Sequence, residues 1–170
     1  MELKERVQAI KNELKANKIT TKQVNIKGSI QGYDEVIKIS IKDLSINKLQ
    51  IENITNKYIE VSRCETSGEI LHGGNTYVYI ELNKKSIKEG SNDFTEIAKN
   101  IINKSKEYKN FYEAFIDGNR SILYSRENNQ IRLSEKNDGI GTGLQSFQIF
   151  DIDGIAEALT IFKYQYGFNF

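Results

Sequence analysis

The stretch CETSGEILHGGNTYVYIEL, residues 64–82, gathers the side chains best suited to chemistry. It holds the only cysteine, Cys64, and the only histidine, His72, together with Glu65, Glu69 and a Gly73-Gly74-Asn75 turn. A zinc site needs about four ligands, and its strong sequence signature is two closely spaced Cys or His pairs. Cys64 and His72 have no second Cys or His to join them. A cysteine nucleophile needs a histidine base held by a third group. A hairpin between Cys64 and His72 could bring them face to face, which leaves a dyad open and nothing more. Architecture accounts for more of the letters: Gly73, Gly74 and Asn75 tolerate positive φ, CETSGE reads as a polar reversal, and a lone Cys at a strand end serves as a small apolar filler. The stretch is therefore expected to be a structural hairpin, with no metal, no cofactor and no catalytic residue.

Two further constellations invite chemistry. NDGIGTGLQ carries Gly139, Gly141 and Gly143, but a phosphate cradle feeds a helix N-terminus and adds a Lys-Ser/Thr pair, whereas here a strand is expected to follow and the lysine is missing. A loop that touches a partner is the alternative use of these glycines. Asp138, Asp151 and Asp153 could suggest a divalent-metal nuclease, but Asp153 is better read as a helix cap and no D-x-K or E-x-K pattern joins them. The aromatic excess is more informative: Tyr 9 and Phe 8 with no Trp. Tyr77, Tyr79, Tyr108, Tyr112 and Tyr124 cannot all bury their hydroxyls cheaply. Tyrosine suits protein interfaces and base stacking alike, and Lys84, Lys85 and Lys88 follow the Tyr77/Tyr79 strand. Tyr77, Tyr79, Lys84, Lys85, Gly139, Gly141 and Gly143 are the candidate partner-binding residues.

The elements that must position these residues follow from periodicity. Leu3, Val7, Ile10 and Leu14 recur at helical spacing. KQVNIKG alternates Val24 and Ile26 against polar neighbours, GSIQGYDE is a turn, and VIKISI sets Ile37, Ile39 and Ile41 on one face. Asp43 or Ser45 is expected to cap a second helix carrying Ile46, Leu49 and Ile54 inward, with Tyr58 one turn on. IEVSRC and NTYVYIEL read as a second hairpin, with Tyr77 and Tyr79 on one face and Val78, Ile80 and Leu82 on the other. NKKSIKEGSN, residues 83–92, is expected to be a linker or connection. Asp93 caps a helix with Phe94, Ile97, Ile101 and Tyr108 in its stripe. FYEAFI, RSILYS, QIRLS and SFQIFDI are then strands separated by turns, and Asp153 opens a last helix with Ile155, Leu159 and Phe162 inward. The expected fold class is α+β: antiparallel sheets with covering helices in the order αββαββ, then α-β-meander-α. The expected division is 1–82, a connection at 83–92, and 93–170.

Composition limits the function classes. Lys+Arg 24 against Asp+Glu 23 leaves a net charge of +1, unlike the strongly basic face of a dedicated nucleic-acid binder, although balanced totals can hide a polarised surface. One cysteine forms no internal disulfide and fits a reducing compartment. No apolar run approaches the roughly 18 residues of a spanning helix, and the charged start is no signal peptide. A soluble protein of the bacterial cytoplasm, with no membrane partner, is expected.

Helix IKNELK, strands KQVNIKG and VIKISIKD, a helix, and then SGEILHGGNTYVYIEL together resemble the large polyvalent protein-associated domains. These occur fused within giant mobile-element proteins and as small stand-alone phage proteins. The resemblance covers residues 1–82, and GEILHGGNTYVYIE is its most specific part. It carries no catalytic role onto Glu69, Gly73, Gly74 or Asn75. It implies a phage- or plasmid-encoded binding protein, not an enzyme, that inhibits a host defence complex by stoichiometric occlusion. Among such small phage proteins, inhibitors of CRISPR nucleases are a prominent class, with a Cas9-type ribonucleoprotein as the leading partner. The alternative is an accessory module that contacts nucleic acid directly in phage or plasmid DNA processing.

Overall fold

The computed structural model describes residues 1–117, 119–135, 144–146 and 148–170, with the side chains of residues 135, 144 and 145 outside that description. The chain is α+β and divides into two compact units, Met1–Ser86 and Ile87–Phe170. Among the described residues no helix is long and apolar enough to cross a membrane.

In the first unit, α1 (Leu3–Ala16) lies over a hairpin of β1 (Val24–Gln31) and β2 (Asp34–Ile41). The expected apolar stripe is present, with Ile10 and Leu14 buried, but a charge is buried with it. The Arg6 guanidinium is held by Glu60 at 2.9 Å, with Nε 3.4 Å from Glu35; its hydrogen bond to Glu60 raises its pKa further and keeps it charged. Gly28 lets the helix approach, since a Cβ there would sit 2.9 Å from Val7 Cγ2.

Asn47, not Asp43 or Ser45, caps α2 (Lys48–Thr55), accepting from the Leu49 N–H at 2.9 Å. Asp43 instead closes its own turn, accepting from the Ser45 N–H and hydroxyl. The helix therefore starts later and buries Ile51 and Thr55, and Leu49 is left 63% exposed.

The expected second hairpin does not form. Between Tyr58 and Thr76 the chain makes only two isolated bridges, Glu60 to Thr76 and Arg63 to Ile70. The ladder is interrupted because the Ser62 N–H donates to the Asn75 side chain, while Gly68, Gly73 and Gly74 turn the chain through positive φ. Strand β3 (Thr76–Leu82) consequently pairs with β2, and the pairing is parallel. A parallel neighbour needs a crossover, and α2 supplies it. The sheet order is β1-β2-β3, so the first unit has one parallel pair in place of an all-antiparallel sheet.

The stretch expected as a connection is helical: α3 covers Lys84–Ser91. In the second unit α4 (Thr95–Lys104) is followed by an antiparallel meander of β4 (Lys106–Glu107), β5 (Phe111–Phe115), β6 (Arg120–Ser125), β7 (Gln130–Glu135) and β8 (Leu144–Ser146). The last strand ends at Ser146, earlier than SFQIFDI suggested. Helix α5 (Ile152–Tyr166) is capped by Asp151, whose Oδ1 accepts from the Gly154 N–H at 2.7 Å, so Asp153 is a first-turn residue and not the cap. Phe94, Ala98 and Ile101 pack with Ala114, Ile122, Ile131 and Leu133 and with Ile155, Leu159 and Phe162 in one core. Tyr108 lies beyond the end of α4 and outside the expected stripe.

Candidate binding surface

Strand alternation divides the first sheet into two faces. One carries Val24, Ile26, Ile37, Ile39, Ile41 and Leu82, all buried. The opposite face is read across the strands from the pairing register. Tyr79 stands beside Lys38, and Lys38 beside Lys27. Tyr77 stands beside Val36, and Glu81 beside Ser40, which in turn stands beside Asn25.

Tyr77 and Tyr79 therefore project on the same side, with ring centroids 6.3 Å apart and planes 23° from parallel. Tyr77 is half-buried and Tyr79 is 54% exposed, which identifies Tyr79 as the presented ring. Lys38 Nζ sits 2.9 Å from Glu81 Oε1. Both groups are half-exposed, so this pair orients the two side chains more than it stabilises the fold. Beside them Asn25, Lys27, Lys38, Ser40, Glu81, Asn83 and Lys84 line a shallow concavity of about 380 Å³.

Of the residues singled out from sequence, the structure sets Tyr77 and Tyr79 on this face and Lys84 on its rim. Lys85 is exposed, and its N–H donates to Asn83 Oδ1 at 2.9 Å. Gly139, Gly141 and Gly143 lie outside the described residues. Lys27 and Lys38 were missed. They are unremarkable within their own strands, and only the order β1-β2-β3 brings them beside Tyr79.

Cys64 and His72 are arranged differently. The Cys64 N–H donates to Glu69 O at 2.8 Å and Arg63 bridges Ile70, so Cys64 lies opposite Glu69 and not opposite His72. Hydrogen bonds, above all from the Ser67 side chain and then from the Ser67 and Thr66 backbone, lower the Cys64 thiol to a pKa of about 7. Asn75, 1% exposed, ties the whole segment down. Its Oδ1 accepts from the Ser62 N–H at 2.8 Å, and its Nδ2 donates to Leu71 O at 2.8 Å and to Asp34 Oδ1 at 3.1 Å. Among the described residues no group of three or more His, Cys, Asp or Glu is placed to hold a metal ion.

The chain matches no family model, no curated protein and no solved structure. The surface is therefore read by its chemistry.

The second sheet also has a face away from its core. Phe111, Glu113, Leu123, Ser125, Gln130 and Arg132 share it by alternation and line a concavity of about 490 Å³. Tyr108 stacks on Phe111 with centroids 4.5 Å apart. Sequence reading grouped Tyr108, Tyr112 and Tyr124 with Tyr77 and Tyr79, but Tyr124 is buried and Tyr112 half-buried.

Proposed function

We propose that this protein acts by binding, and that it occludes a macromolecular partner with the open face of β1-β2-β3. The observation that carries the reading is Tyr79, half-exposed and stacked on Tyr77, with Lys38 beside it on β2 and Lys27, Lys38, Glu81 and Lys84 lining the adjoining concavity. A rigid aromatic on a sheet, rimmed by charges of both signs, has the composition of a protein-interface hot spot. The shallow, broad face favours covering a partner over enclosing a small substrate. The residue-level resemblance of the first unit to domains of mobile elements directs the partner toward a host defence complex, with a CRISPR effector nuclease as the target. On this reading the protein blocks guide loading, target-DNA binding or nuclease docking and performs no chemistry of its own.

Titrating the protein into a cleavage reaction of an effector from a matched host tests this. Occlusion gives inhibition that completes near one inhibitor per effector. Turnover far below that ratio, or no complex with any such effector, removes the proposal.

Direct contact with single-stranded nucleic acid is the second reading, supported by the row of a presented tyrosine, Lys38 and Lys27 across the three strands. Such a platform stacks bases on the ring and meets phosphates with lysines. The Glu81 carboxylate, ion-paired to Lys38 at 2.9 Å, opposes a polyanion and places this reading second. A partner-free affinity for oligonucleotides that falls steeply with salt would reverse that order.

A further inference from the structure

The outer face of the second sheet forms a trough along β6. The register sets Phe111, Ser125 and Gln130 in one row across the strands and Glu113, Leu123 and Arg132 in the next. Leu123 and Ser125 of β6 are shorter than the side chains on either side. Phe111 and Glu113 of β5 therefore make one wall and Gln130 and Arg132 of β7 the other. The space between them is about 490 Å³, within the range of small-molecule sites. Asn110 and Asn128, from the turns beside Phe111 and Gln130, line the end nearest the first row.

Several groups in this trough are not used by the fold. Phe111 is 37% exposed and stacks on Tyr108, itself 42% exposed, so an aromatic pair stands outside the core. Glu113, half-buried, makes no ion pair or side-chain hydrogen bond with any described residue, including Lys106 opposite it on β4. Arg132 likewise has none with any described residue. An acceptor and a donor of opposite charge thus border one concavity from opposite walls, each with its hydrogen bonds unspent.

We propose that this trough binds the guanine base of a nucleotide. One close and one wide antiparallel spacing separate Glu113 from Arg132 by about 10 Å between Cα atoms. Two hydrogen bonds of about 2.9 Å, one from each wall, leave space between them for a single planar ring system. Glu113 only accepts and Arg132 only donates, so the ring must donate on one edge and accept on the next. Guanine does both: N1–H and N2–H2 lie side by side, and O6 and N7 follow them as the pair that arginine takes bidentately. Adenine turns an N6–H2 donor to the position where Arg132 needs an acceptor. A base standing on edge over β6 has the Phe111 ring one row along, about 6.8 Å up the strand, where it covers the face of the base. The sugar is left to solvent, so a free nucleotide and an unpaired guanine in a strand present the same chemistry.

Chemical-shift titration of the isotope-labelled protein with GMP, IMP and AMP tests the site. GMP is expected to shift the amides of Phe111–Glu113, Leu123–Ser125 and Gln130–Arg132. IMP lacks N2–H2 and should bind roughly tenfold more weakly, for one charge-assisted hydrogen bond lost, and AMP more weakly again. Glu113→Gln should erase most of that preference. Phe111→Ala should weaken all three nucleotides alike, by roughly tenfold. The order GMP, IMP, AMP in the parent decides the matter even if a variant fails to fold. A short single strand with one guanine among adenines separates the sources. Binding tighter than GMP assigns the site to a strand and equal binding to the free nucleotide, and either result supports the guanine site. Equal affinity for the three nucleotides, shifts confined to other surfaces, or no shift at millimolar GMP overturns it.

Discussion

The segment from Glu60 to Asn75 and the open face of β1-β2-β3 belong to the same unit, and they use their side chains in opposite ways. The segment holds the rare residues, Cys64 and His72, yet its polar groups are directed at the chain itself. Asn75 takes the Ser62 N–H and gives to Leu71 and Asp34, and Cys64 is bonded within its own turn. The open face is built of common residues, and its ring and charges are directed outward. Rarity in a sequence identifies candidates for chemistry, but hydrogen-bond direction decides whether a group is available to anything else.

Removing the organiser of the inward-directed segment should give the largest effect. Asn75→Ala removes the partner of the Ser62 N–H and of the Leu71 carbonyl and releases Asp34, which should lower stability by about 2–3 kcal/mol, since each of these hydrogen bonds contributes about 0.5–1.5 kcal/mol. Urea denaturation measures this. A loss under about 1 kcal/mol would show that the segment is not held as described.

Tyr79→Ala should reverse the pattern. Stability should change by less than about 1 kcal/mol, because the ring is half-exposed. Binding to the partner should weaken by roughly 30-fold, from a hot-spot contribution of about 2 kcal/mol. Titration calorimetry reports the affinity, and a Tyr79→Ala variant that binds normally would separate the open face from function.

Lys27→Ala sharpens the choice between partners. If the face meets phosphates directly, the log–log slope of affinity against salt should flatten by about one. If it meets protein, the rim lysine should alter affinity by less than about 1 kcal/mol and act mainly on the association rate.

The smallest effect belongs to Cys64→Ser, which should leave partner affinity unchanged. The parent thiol, at a pKa of about 7 against an ordinary 9.0, should show alkylation rising through about pH 7. Because the folded pKa is depressed, the folded state favours the thiolate. The associated stability is complete above pH 9, declines as pH falls, and is gone below about pH 7. Comparing melting temperatures of parent and variant at pH 6 and pH 9 checks that sign.

Much of the fold was legible because periodicity exposes it. Helices α1, α4 and α5 and strands β1, β2, β3, β5, β6 and β7 fall where apolar spacing placed them. Pairing was less legible. IEVSRC alternates well enough to read as a strand, and nothing local reveals that a side chain thirteen residues away takes the Ser62 N–H. The error over β3 followed from that, since losing the hairpin leaves the strand to join β2 in parallel. Caps at Asp43 and Asp153 were misread because acceptors close to a helix start compete, and the winner depends on where the first turn settles. Tyr77 and Tyr79 were visible as a same-face pair. Lys27 and Lys38 were not, because they reach Tyr79 only through strand order. The burial of Arg6 within an apolar stripe left no local signal, as its partners Glu35 and Glu60 come from distant parts of the unit.

Amide hydrogen exchange of the protein, free and bound to a matched effector complex, tests the comparison most directly. The expected result is new protection concentrated in β3 and β2, across Val36–Ser40 and Thr76–Leu82, with the Cys64–His72 turn exchanging as it does in the free protein. Protection centred on Cys64–His72, or on the Phe111–Arg132 face of the second unit with β3 unchanged, would contradict the assignment of the open face as the binding surface.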